Sequence, residues 1–231
     1  MRKIEKDRPL PDHTKLDYHE CYAKIVLEEL FPDQFTNLVL SDKPDLQDTQ
    51  SNIGIEVTIA ENSKTLEAEN LYSKLPYVDE YIKIKNIERI KQCGATYENG
   101  ILSSSGNDDF RLINQAINKK IKKLQEAEYH VLDEYQLFVF SSIFANDVML
   151  KDELNYLLER EIVDYFKKIY ILVPGALFCF NLMLRTYKVL EITSNKQYQQ
   201  AQLARQMVEE GETDDKTRKA NKRTLPGWGT I

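Results

Sequence analysis

The residues of this chain best suited to chemistry are two acids, Asp45 and Glu56, on either side of a short polar segment. If Asp45 lies opposite Glu56 in an antiparallel hairpin, Leu46 faces Ile55, Gln47 faces Gly54 and Asp48 faces Ile53. Thr49 to Asn52 then form a four-residue loop, a common hairpin length. Side chains alternate along a strand, so Ile53, Ile55, Val57 and Ile59 line one face while Gly54, Glu56, Thr58 and Ala60 line the other. Asp45 and Glu56 share a face in this arrangement. Two carboxylates held that close repel each other, and one keeps its proton unless a cation stands between them. A hard divalent cation is the economical occupant of such a pair. The plain alternative is that Pro44-Asp45 opens a turn and Glu56 meets water on a strand face.

A third group comes from a helix further along the chain. From a cap at Asn107 or Asp108 to about Ala127, the residues Phe110, Ile113, Ala116, Ile117, Ile121 and Leu124 recur at helical spacing. With Ile117 at zero and roughly 100° per residue, Ile113 falls near −40° and Lys120 near −60°. Lys120 therefore sits inside the apolar stripe, while Lys119, Lys122 and Lys123 point away from it. An ammonium facing a core must snorkel out or meet an anion. A carboxylate hairpin in the sheet beneath this helix offers that anion. Upstream, Leu16, Ala23, Val26, Leu27 and Leu30 predict a helix over Lys15 to Leu30, stopped by Pro32, with His19 within its stripe and Glu20 at its edge. Either can turn toward the sheet edge the helix covers, and a flanking surface acid is the alternative for Glu20.

The remaining elements must position these groups. Phe35 to Leu40 reads as a strand ahead of the hairpin. Two helices, from Ser63 to Leu75 and from about Val78 to Cys93 with Gly94 beyond it, form an insertion spanning about 62–106. Its lysines and arginine (Lys64, Lys74, Lys83, Lys85, Arg89, Lys91) mix with Tyr72, Tyr77 and Tyr81, a composition suited to gripping a phosphate backbone and stacking on bases. Glu67, Glu69, Asp79, Glu80 and Glu88 interleave with them, so an ordinary salt-bridged face is the alternative. Thr96 to Asn107 reads as a Gly/Ser/Asn loop. Then come a strand over Gln136 to Ser142, a helix over Lys151 to Lys168, and strands at Ile169 to Val173, Ala176 to Met183 and Thr186 to Thr193. A helix over Asn195 to Glu210 closes one domain over residues 1–210, and a polar tail over 211–231 carries Trp228.

Composition bounds the function. The chain of 231 residues is long enough for one domain with a sizeable core. Cys21, Cys93 and Cys179 are odd in number and widely spaced, which predicts reduced thiols in a cytoplasmic protein and excludes a zinc spacing; His13, His19 and His130 are equally scattered. The charged start Met1 to Arg8 lacks the apolar core of a signal peptide. Ile169 to Leu184 is broken by Pro174, Gly175 and Asn181 and reads as two buried strands, so no membrane partner is expected. A net charge of −6 supplies no global pull toward nucleic acid, which would have to be held by a local basic patch or through metal ions.

The predicted order is a helix, three strands, the insertion, a helix and a fourth strand, with acids on the second and third strands. In this the chain resembles the PD-(D/E)xK nuclease superfamily over roughly Lys15 to Ser142. Pro44-Asp45 matches the first acidic position, Glu56-Val57-Thr58 the (D/E)xK tripeptide, and Glu20 the acid often found on the first helix. Thr58 departs from the pattern by standing where the family's lysine usually lies. Some members of the family supply that lysine from the following helix, the position of Lys120. The resemblance implies an α/β fold with a restriction-endonuclease-like core, a mixed sheet flanked by helices. It also implies Mg²⁺ or Mn²⁺ held by Asp45, Glu56, the Val57 carbonyl and Glu20, with Lys120 and Thr58 beside the reacting water. The expected function is hydrolysis of DNA, in restriction or phage defence, by a protein that could act as a homodimer. The alternatives are a nuclease-like fold that binds without cutting and an α/β regulatory domain whose Pro-Asp and Glu are fortuitous.

Overall fold

The structure, a computed structural model, describes residues 8–11, 13–104, 106–126 and 131–223, with the backbone alone for 212–223. The first helix, α1 (Tyr18–Leu30), starts where the Asp17 carboxylate accepts hydrogen bonds from the amides of His19 and Glu20 at 2.7 and 3.1 Å. Three strands follow as an antiparallel meander: β1 (Val39–Leu40), β2 (Leu46–Asp48) and β3 (Ile53–Ile59). The hairpin register is the predicted one, with Leu46 opposite Ile55, Gln47 opposite Gly54 and Asp48 opposite Ile53. β1 is shorter than the strand expected over Phe35 to Leu40. The Phe35 amide donates to the Phe31 carbonyl at 2.9 Å, prolonging the turn after α1, and the Leu38 amide donates to the Glu28 carboxylate at 2.9 Å. Neither amide is left for a strand partner, and both side chains are buried under α1.

The insertion holds α2 (Ser63–Lys74), α3 (Glu80–Gln92) and a hairpin, β4 (Thr96–Glu98) with β5 (Ile101–Ser103), around a small core of Ala68, Leu75, Ile90 and Ala95. The hairpin replaces the predicted loop. Its two-residue turn, Asn99-Gly100, has φ of 52° and 84°, the doubly positive geometry that twists with the strands.

The sheet then grows by parallel pairing. Helix α4 (Arg111–Glu126) leads to β6 (Glu134–Phe140) beside β3, and α5 (Asp147–Glu159) leads to β7 (Lys168–Val173) beside β6. The first amide of α4 donates to Asp109 at 2.9 Å, so Asp109 takes the place expected of Asn107 or Asp108. α5 is displaced toward the N-terminus from the predicted 151–168. Asn146 caps it through the Met149 amide at 3.1 Å, and Glu161, at φ 54°, ends it. β8 (Ala176–Asn181) and β9 (Thr186–Glu191) complete the order β1-β2-β3-β6-β7-β8-β9.

Alternation along these strands builds two cores. Leu137, Val139, Ile169, Ile171, Val173, Phe178 and Phe180 face α4 and α5. Ile53, Ile55, Val57, Phe138, Tyr170, Leu172, Leu177 and Cys179 face α1. The molecule is thus α/β, a seven-stranded mixed sheet between helices. The last helix, α6 (Ser194–Arg223), packs on α1 through Ala204, Val208 and Cys21. It runs past Glu210, where a tail was expected, and at Gly211 it passes close to Leu16, whose Cδ1 lies only 3.0 Å from the position a Cβ would take. Trp228 and His130 lie outside the described residues. All three cysteines are free thiols. No helix among the described residues is long and apolar enough to cross a membrane.

Candidate active site

The meander presents Asp45 and Glu56 to α4. Because Leu46 belongs to the α1-facing core, Asp45 turns to the opposite face, which is also that of Glu56. Gly54, one pleat before Glu56, is required by space. A Cβ there would meet Pro44 Cγ at 2.7 Å and Leu132 Cδ1 at 2.6 Å, so the buried Pro44 ring lies against the bare backbone of β3 and seats Asp45 beside it.

Lys120 closes the arrangement. Its Nζ donates to Asp45 Oδ2 at 2.9 Å and to Glu56 Oε2 at 2.5 Å. Glu56 is 1% exposed and Lys120 8%, whereas the Asp45 side chain keeps 23% of its surface in contact with solvent. Burial alone would push the Lys120 ammonium toward its neutral form. The carboxylates of Glu56 and Asp45 outweigh that, and the group is held above the usual lysine range. It is charged at neutral pH.

Asp45 Oδ2 also accepts the Val57 amide at 2.6 Å. Within a strand the N–H and C=O of one residue leave on the same side. The Val57 carbonyl therefore also points to the side of β3 where β2 has ended, the side of Asp45. Glu20 stands on α1 across the sheet edge. Burial chiefly, then the charges of Asp45 and Asp17, push its carboxyl up to about 7, with Lys120 opposing and Glu56 adding to the effect. Glu20 is thus within electrostatic reach of the other three groups. Thr58 follows Glu56 on the same face of β3, and its hydroxyl joins none of the hydrogen bonds among Asp45, Glu56 and Lys120. Of the residues predicted for the site, the structure joins Asp45, Glu56, Lys120 and the Val57 backbone directly, with Glu20 at the rim and Thr58 beside them.

Among the described residues no three His, Cys, Asp or Glu side chains stand close enough to enclose an ion. An ammonium occupies the space between the two acids instead. The donors are nonetheless of the right chemistry for a hard cation: carboxylate oxygens from Asp45, Glu56 and Glu20, and the Val57 carbonyl.

A second polar network, absent from the sequence reading, lies at the carboxyl ends of β3 and β6. Glu61 accepts from the amide of Ser142 and from its hydroxyl, while Asn107 Nδ2 donates to the Ala60 carbonyl at 3.1 Å and to Glu61 at 3.2 Å. The only signal was the pair of polar runs, Glu61-Asn62 and Ser141-Ser142, after strands that prove to be neighbours. A cavity of about 300 Å³ opens there, lined among others by His19, Tyr22, Glu61 and Gln197. None of Asp45, Glu56 and Lys120 lines it, although it is lined by His19 of α1, the helix that carries Glu20, and by Ile59 of β3, the strand that carries Glu56.

The basic and aromatic residues of the insertion divide in the structure. Tyr72 is used internally, its hydroxyl bonded to the Gly100 carbonyl at 3.0 Å and its ring set against Tyr97, while Tyr77 receives the Arg8 guanidinium at 5.7 Å from its centroid. Arg89 is committed to Glu67 through two hydrogen bonds of 2.5 and 2.9 Å. Tyr81, 68% exposed, faces outward with the Lys85 ammonium 4.4 Å from its ring centroid. Comparison with family models, curated proteins and solved structures finds no significant match to this chain.

Proposed function

We propose that this protein is a divalent-cation-dependent DNA nuclease with a restriction-endonuclease-like PD-(D/E)xK core, in which Lys120 of α4 replaces the lysine of the third strand. The observation that carries the reading is the Lys120 ammonium held by Asp45 and Glu56 at 2.9 and 2.5 Å, at the end of a hairpin opened by Pro44. The element order supports it: one helix, an antiparallel meander, a helix and a strand parallel to the third.

Asp45, Glu56 and the Val57 carbonyl would hold Mg²⁺ or Mn²⁺, with Glu20 completing the oxygen set. When bound, the cation polarises the phosphate and makes water a nucleophile at neutral pH. The protein's own contribution is placement and charge. With Asp45 and Glu56 engaged by the cation, the Lys120 ammonium that they hold in this structure would be released beside them to hydrogen-bond the attacking water or a phosphate oxygen. Thr58 would orient a water through its hydroxyl but cannot supply a positive charge. Tyr81 and Lys85, on the outward face of the insertion, would meet the DNA backbone and bases.

The test is incubation with plasmid and linear DNA in Mg²⁺ or Mn²⁺. Cleavage that disappears in Asp45→Ala and Glu56→Ala supports the reading; cleavage indifferent to both substitutions overturns it. A second reading, a nuclease-like fold that binds nucleic acid without cutting it, is favoured by Thr58 at the lysine position and by the closure of the acids on Lys120. Binding of DNA with no cleavage in either metal would establish that alternative.

A further inference from the structure

The far end of the sheet carries a different kind of cavity. Across β7, β8 and β9 the register sets Lys168, Asn181 and Thr186 in one row and Tyr170, Cys179 and Lys188 in the next. Directly opposed residues point to the same face. Tyr170 and Cys179 belong to the α1-facing core, so all six side chains leave the sheet on that side. α1 ends at Leu30, short of covering them. Phe31 instead leans over Tyr170, with ring centroids 5.3 Å apart, and Gln34 reaches Lys168, whose Nζ donates to it at 3.2 Å. Between this roof and the strand floor lies a cavity of about 320 Å³.

Its lining is chemically one-sided. Rings of Phe31 and Tyr170 supply flat apolar walls, and Lys168 and Lys188 supply two ammonium groups. Among the described residues no residue lining it is acidic, in a chain whose net charge is −6, and neither lysine pairs with a carboxylate. Lys188 lies on the edge strand, where a lysine often guards against pairing with another chain. Its ammonium, however, sits over the Phe31 ring at 4.8 Å from the centroid, at the cavity wall. Two cations beside aromatic walls in a partly enclosed space favour an anion with a flat body.

We infer that the cavity between Phe31 and strands β7 to β9 binds a small ligand with a flat apolar body and an anionic oxygen head, the head lying between Lys168 and Lys188. This site shares no residue with the Asp45, Glu56 and Lys120 cluster, so it stands or falls independently of the nuclease reading. The experiment is titration calorimetry on the full chain without divalent metal. The probes are phenyl phosphate and benzoate for the two kinds of head, inorganic phosphate for a head without a body, and benzylamine for a body with the opposite charge.

The expected result is one-to-one binding of phenyl phosphate or benzoate, weaker binding of inorganic phosphate and none of benzylamine. Which of the two aromatic anions binds more tightly identifies the head. Lys168→Gln and Lys188→Gln should each weaken binding by about tenfold, the usual scale for one charge-assisted contact, while the distant Lys119→Gln leaves it unchanged. The inference is overturned if neither aromatic anion binds at millimolar concentration, if benzylamine binds as well as they do, or if both lysine variants, with melting temperatures near that of the parent, bind like the parent.

Discussion

Two glutamates on opposite sides of α4 are buried to nearly the same depth, Glu56 at 1% exposure and Glu153 at 5%, yet their surroundings ask opposite things of them. Glu56 on β3 meets the ammonium of Lys120. Among the described residues Glu153 on α5 hydrogen-bonds only the neutral side-chain amide of Asn114, at 3.2 Å, and burial pushes its carboxyl up to about 7 against the pull of that hydrogen bond. The same helix supplies both partners. Depth alone does not decide whether a buried acid carries charge; the partner does. The Glu56 carboxylate is held as an ion by its pairing, while Glu153, titrating near 7, is a polar link between two helices.

The largest expected effect breaks the charged side of the comparison. Lys120→Met leaves Glu56 and Asp45 facing each other without a cation, and urea unfolding should register a loss of about 3–5 kcal/mol. Adding Glu56→Leu to the same chain should recover part of it, because the stranded charge is then gone. A loss below about 1 kcal/mol from Lys120→Met would mean that the ammonium is not what stabilises the acids.

The neutral side responds to pH. With a folded-state value near 7 and an ordinary value of 4.5, Glu153 binds more protons in the native than in the unfolded state between those limits. Stability contributed by the protonated form is therefore complete below about pH 4.5 and is lost as pH rises toward and through 7. Glu153→Gln keeps the hydrogen-bonding shape without the charge. Thermal unfolding at pH 8 should find the variant more stable than the parent by about 1–3 kcal/mol, with the difference vanishing near pH 4.5. An advantage that is independent of pH would contradict this assignment.

Glycine substitutions sharpen the contrast between site and scaffold. Gly54→Ala must displace Pro44 or Leu132, from contacts of 2.7 and 2.6 Å. A cost of about 1–3 kcal/mol is expected by denaturant unfolding, together with loss of any metal-dependent activity, since Pro44 seats Asp45. Gly100→Ala, in the β4–β5 turn at φ 84° with nothing near its absent side chain, should cost about 1 kcal/mol and leave activity intact. Equal loss of activity in the two variants would remove Pro44 from the positioning of the site.

The features legible in the sequence were those governed by short-range rules. The Asp45 to Glu56 register followed from alternation and loop length, and the burial of Lys120 from its place on a helical wheel. Features that depended on partners distant in sequence were not legible. Phe35 and Leu38 have strand-like composition, but their amides are taken by Phe31 and Glu28. Gly211 has the composition of a helix end, but α6 continues through it, with Leu16 packed close to its backbone. Thr96 to Ser103 lacked the apolar alternation of a hairpin, although Asn99-Gly100 carried the turn. Glu61 and Ser142 could be joined only once β3 and β6 were known to be neighbours.

The central claim is that Asp45, Glu56 and Lys120 converge to hydrolyse a phosphodiester, and single-turnover cleavage of DNA at saturating Mg²⁺ tests it most directly. The parent protein should cut. Asp45→Asn and Lys120→Gln, checked for folding by circular dichroism, should each slow cleavage by about a hundredfold or more while still binding the DNA. A parent that does not cut in Mg²⁺ or Mn²⁺, or an Asp45→Asn variant that cuts at the parent's rate, would contradict the account.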